Sequence, residues 1–109
     1  MAAKELAAYV HDQLRELDGI RSRPMMGGYV FYCQDRIFGG IYEAGFLVKD
    51  VPAARAAMPD AEPTPPYRGG KLMLSCTLLD NREALCTMVE AMLPQLPPPK
   101  PKKKRTISQ

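Results

Sequence analysis

This sequence predicts an α+β fold: a two-layer sandwich with helices on one face of an antiparallel sheet of about five strands. Three observations carry the prediction. First, the apolar runs 29–33, 36–42 and 46–49 are separated only by Gln34-Asp35 and Glu43-Ala44-Gly45. Breaks that short join antiparallel neighbours, because a parallel crossover takes about a dozen residues or more. Second, amphipathic helical stripes lie at both ends of the body, and each needs an apolar face to cover. Third, residues 71–76 read as a half-buried strand, with Leu72, Leu74 and Cys76 on one face and Lys71, Met73 and Ser75 on the other.

The elements follow in order. Residues 4–17 read as a helix, with Leu6, Val10, Leu14 and Leu17 forming one stripe and Gly19 suited to a left-handed C-terminal cap. Residues 20–23 open the sheet, with Arg21 and Arg23 on one face and Ile20 and Ser22 on the other. Pro24 has no N–H for a ladder, so this strand is an edge or ends there. Gly27-Gly28 marks a bend or bulge. Asp50 is placed to cap a short Ala-rich helix with Pro52 in its first turn, and Pro59 ends that helix. The proline-rich stretch 59–66 reads as an extended surface loop. Asp80 and Glu83 form a capping-box-like pair, with Leu79 as staple, for a last helix that carries Leu85, Met88, Val89 and Met92 on one face. The prolines from Pro94 onward end regular structure. The organisation is one domain, 1–95, followed by a Pro/Lys-rich basic tail, 96–109, that is disordered in isolation.

The net charge of +3 conceals two opposed parts. Lys100, Lys102, Lys103, Lys104 and Arg105 lie in the tail, leaving ten basic against twelve acidic residues in the body. A nucleic-acid argument from charge therefore rests on the tail. No apolar run approaches the roughly 20 residues of a membrane span, and the N-terminus lacks a signal-peptide apolar region. The expectation is a cytoplasmic protein that does not enter membranes. Cys33, Cys76 and Cys86 are an odd number without paired spacing, which excludes a secreted disulfide scaffold and favours free buried thiols. Cys33, at a hairpin end, is the thiol best placed for exposure and reactivity.

No catalytic constellation emerges. His11 is the sole histidine, one position off its helical stripe, and no serine or cysteine motif accompanies it. The cysteine and histidine spacings are too long for a zinc site. The pairs Gly27-Gly28, Gly39-Gly40 and Gly69-Gly70 lack the following helix of a phosphate loop and read as sheet geometry. Arg68 and Lys71 are candidates for an anion-binding nest. Arg21, Arg23 and Arg36, clustered with aromatics on the open sheet face, are candidates for nucleic-acid contact. Met25, Met26, Met73, Met88 and Met92 read as core, with an adaptable contact surface as the alternative. An open sheet face carrying aromatics also suits homodimerisation or partner docking. No cofactor is expected.

The segment Arg23-Pro24-Met25-Met26-Gly27-Gly28-Tyr29, the strands after it, and Phe46-Leu47-Val48-Lys49 resemble the N-terminal domain of the TfoX (Sxy) family. The family pattern reads Arg-Arg-Met-Phe-Gly-Gly-Tyr-Gly, then an Asp-Gly turn, then Leu-Tyr-Leu-Lys. Here Met26 stands where Phe is common, Val30 where Gly is common, and Asp35-Arg36 where Asp-Gly is common. Tyr67, Gly70-Lys71 and residues 72–76 extend the likeness. The resemblance implies a secretion-chaperone-like two-layer fold and no catalytic residues. It also implies a regulatory, non-enzymatic role in competence or transcription through a protein partner, such as the transcription machinery. Full-length regulators of the family carry a second, C-terminal domain; this chain ends in prolines and a basic tail, and the expectation is a stand-alone module. Two alternatives are a nucleic-acid-associated protein anchored by its tail, and a small anion-binding domain or enzyme.

Overall fold

The computed structural model describes residues 2–98. Of the tail expected to be disordered over 96–109, residues 99–109 lie outside them. The first helix, α1 (Ala3–Gln13), is followed by a meander of β1 (Ile20–Met25), β2 (Gly28–Cys33), β3 (Arg36–Tyr42) and β4 (Gly45–Val48). Helix α2 (Pro52–Ala57), β5 (Pro63–Thr64), β6 (Met73–Ser75) and helix α3 (Arg82–Met92) complete the body, with a 3-10 turn over Leu93–Gln95. The strands form one antiparallel sheet in the order β1-β2-β3-β4-β6-β5. The α+β two-layer reading holds. The sixth strand, β5, comes from the proline-rich stretch expected to be a loop. Its ladder is two residues long, so it left no alternation to read.

One sheet face and the helices enclose the core. Phe31, Phe38 and Phe46 meet edge-on, with ring centroids 5.9–6.4 Å apart, a favoured aromatic geometry. Val10, Leu14, Val48, Leu85, Met88, Val89 and Met92 close around them with no more than 2% exposure. The register slips between Phe31 and Tyr32, so Phe38 is the extra residue of a bulge. Its freed carbonyl accepts from the Lys49 N–H at 2.8 Å. The bulge lets Phe38 and Ile41 both reach the core.

Several boundaries differ from the sequence reading. Helix α1 stops at Gln13, and Leu14 to Leu17 continue as turns with Leu14 fully buried. Gly19 does take a positive φ, +80°, but in the loop before β1. Asp50 is not the cap of α2. Val51 is, and Asp50 instead holds Arg55 through two hydrogen bonds of 2.5 and 2.7 Å. Asn81, not Asp80, caps α3 by accepting from the Ala84 N–H, while Asp80 accepts from the Tyr9 hydroxyl at 2.6 Å. Pro94 sits within the 3-10 turn rather than ending regular structure. Leu96, expected in the tail, is buried in the core.

Candidate functional site

Up-and-down strands place alternate turns at the same end of a meander. The β1–β2 and β3–β4 turns therefore share one end of the sheet and the β2–β3 turn lies at the other. Met25 pairs with Gly28, so Met26-Gly27 is a two-residue loop. Met26 (φ 51°) and Gly27 (φ 82°) are both left-handed, as the twist-matched hairpin turn demands. Of the expected bend or bulge, the bend holds: Gly27 completes the turn and Gly28 opens β2. Gly28 also sits against β3: a side chain there would run into the Ile41 carbonyl.

These two turns, the start of α1 and the loop from Pro66 to Arg68 surround a recess of about 610 Å3. Leu6, Met25, Ile41 and Pro66 supply apolar walls, Tyr42 and Tyr67 aromatic ones, and Glu43 and Arg68 its charged groups. A shallower extension reaches Lys4, Pro24 and Tyr29. The rings of Tyr42 and Tyr67 lie 6.5 Å apart. Burial, with Tyr67 beside it, pushes the Tyr42 phenol above its ordinary value, so at neutral pH it stands as an uncharged hydroxyl. The Gly70 N–H donates to the Tyr67 carbonyl at 2.8 Å, closing the turn that presents Arg68. The recess offers thioethers, phenols, one guanidinium and one carboxylate. That set can hold an apolar group and orient a charge.

The methionines divide. Met73, Met88 and Met92 are buried as expected, but Met25 and Met26 are 48% and 83% exposed. They are not core. A hairpin turn projects beyond the sheet, so its side chains have nothing beneath them.

The other signature and candidate residues scatter. Tyr29 is half-buried against the core, and Lys49 lies at the far end of β4. Arg21 and Arg23 do share the face away from the helices. Arg21 stacks over Tyr32 at 5.0 Å and pairs with Asp35 at 2.7 Å. Arg36 does not join them: its guanidinium donates to the Leu96 carbonyl at 3.0 Å, holding the end of the last turn. Lys71 is exposed outside the recess. Lys100, Lys102, Lys103, Lys104 and Arg105 lie outside the described residues.

The thiols and the histidine sit elsewhere. Cys33 is 1% exposed, not reactive surface, and burial raises all three thiols above their ordinary pKa. The favoured reading of a free buried thiol holds for Cys33 and the exposed alternative does not, because the chain between α1 and β1 packs over it: its Sγ contacts the Asp18 carbonyl at 3.7 Å. His11 bonds Ser22 at 2.8 Å and packs on Phe31 at 5.0 Å, tying α1 to β1. Among the described residues, no group of three or more His, Cys, Asp or Glu is arranged to hold a metal ion. Among them too, no helix is long and apolar enough to cross a membrane.

The sequence reading missed the recess itself. Turn alternation could have placed Met26 and Glu43 at one end, but nothing in the proline-rich loop signalled that Tyr67 and Arg68 return to it. In comparison with known proteins, the family model for the TfoX N-terminal domain matches residues 12–92. No curated protein and no solved structure matches the chain. A match spanning most of the chain, on a fold whose hairpin turns carry the Met-Met-Gly-Gly signature, means that this chain belongs to the TfoX N-terminal domain family.

Proposed function

We propose that this TfoX N-terminal domain is a non-enzymatic, cytoplasmic regulatory module that works by protein–protein contact at the turn end of its sheet. Met26 carries the reading. It breaks two local rules at once, being a large apolar side chain that is 83% exposed and a non-glycine residue in the left-handed region. The left-handed conformation alone costs roughly 1–2 kcal/mol for an ordinary residue. Local violations of this kind concentrate where a protein meets something else. Methionine also adapts well to a partner surface, and competence or transcription regulation is the setting that family membership suggests.

The test is capture from cell lysate with the full chain and with Met26→Asn, a change that suits the turn while removing the apolar contact. Enrichment of a defined partner by the wild type, lost in the variant, supports the reading. Equal enrichment by both removes the recess from it.

A second reading rests on the five cations at positions 100–105, which can neutralise phosphates independently of the body. Salt-steep DNA retention that disappears in a chain ending at Pro98 supports it; unchanged retention excludes the tail.

A further inference from the structure

The body carries more acidic than basic residues, yet the recess end runs the other way. Lys4 and Arg68 line it and its shallower extension, against Glu43 alone. Among the described residues the ion pairs join Arg15 and Arg82 to Asp12, Arg21 to Asp35 and Arg55 to Asp50, so neither Lys4 nor Arg68 is engaged in one. The Glu5 carboxylate is directed to the Ala2 N–H at 3.4 Å rather than to Lys4. The opening thus combines unpaired cations with apolar walls of Met25, Met26, Leu6 and Pro66. A cationic rim around an apolar hollow complements an apolar anchor flanked by carboxylates.

The geometry points to an acidic peptide segment, bearing a large aliphatic or aromatic side chain, as the occupant of this recess. The anchor enters between Met25, Met26 and Tyr67, and its flanking carboxylates meet Arg68 and Lys4. This identification of the partner's chemistry rests on the contact reading above. Nucleic acid fits less well: Tyr42 and Tyr67 offer rings to stack on, but Lys4 and Arg68 are two cations where a run of phosphates needs a line of donors.

The test is fluorescence anisotropy of three short labelled peptides: Glu/Asp-rich with a central Leu-Phe pair, the same peptide with Ser for Leu and Phe, and the same with Lys for every acid. The protein is the full chain with its five tail cations changed to glutamine, so that tail attraction is absent. Only the first peptide is expected to bind, and Arg68→Gln or Met26→Asn should each weaken it by about tenfold. Both positions are exposed, so neither change threatens the fold. Equal binding of the serine peptide, binding of the lysine peptide, indifference to both substitutions, or no binding at all overturns the inference. So does a single-stranded oligonucleotide that competes through the same two residues. If lysate capture still depends on Met26 while these peptides fail, the contact reading stands and only the partner chemistry falls.

Discussion

Two residues set the terms of the account, Met26 and His11. Met26 gives the folded state little, since its side chain is mostly in water and its backbone is held left-handed. Met26→Asn should therefore raise stability by about 0.5–1 kcal/mol, read as a higher urea midpoint at unchanged slope. A loss of that size would mean the side chain packs, and would remove the argument for contact. His11 shows the opposite economy, half-buried against Phe31 and bonded to Ser22. Burial lowers its pKa below the ordinary 6.5. In the unfolded chain the ring takes a proton near that ordinary value, so below it the unfolded state binds more protons than the folded one. The stability His11 contributes is thus present above 6.5 and lost as pH falls toward the depressed folded value. Urea midpoints between about pH 7.5 and about pH 5.5 should decline less in His11→Gln than in the wild type. Identical declines would assign the effect to carboxylates.

At the scale of elements, the hairpins explain both the fold and the recess. Gly28 ends the β1–β2 turn with no room for a Cβ before the Ile41 carbonyl. Gly28→Ala should cost about 2 kcal/mol or more, because the obstacle is backbone and cannot swing aside; a neutral result would show that β2 and β3 can part there. The meander was legible in the sequence because its breaks at 34–35 and 43–45 are too short for any other connection. The stripe Leu85, Met88, Val89 and Met92 was legible for the same kind of reason, since helical spacing survives any tertiary detail. What was not legible depended on contacts distant along the chain. Asp50 looks like a cap, but Arg55 draws its carboxylate away. Arg36 looks like part of an open basic face, but the Leu96 carbonyl claims it. The placement of Tyr67 and Arg68 needed the whole sheet.

At the scale of the molecule, the two ends of the sheet do different work. The core converges on the phenylalanine triad and is closed by both long helices, so Phe31→Ala should destabilise by about 3–5 kcal/mol and release α1 along with the sheet. Loss of the sheet with α1 still docked, followed by hydrogen exchange, would contradict that shared core. The turn end contributes less to this packing and instead gathers exposed methionines, two tyrosines and two cations, Lys4 and Arg68, that form no ion pair among the described residues. The most direct measurement of the central claim is site-specific photo-crosslinking in living cells, with the reactive group placed at position 26 and, in a second strain, at position 34. Both are left-handed residues of two-residue turns, at opposite ends of the same sheet. A discrete adduct from position 26 and none from position 34 is the result expected of a contact site at the recess. Adducts from neither position, or the same adducts from both, would contradict it.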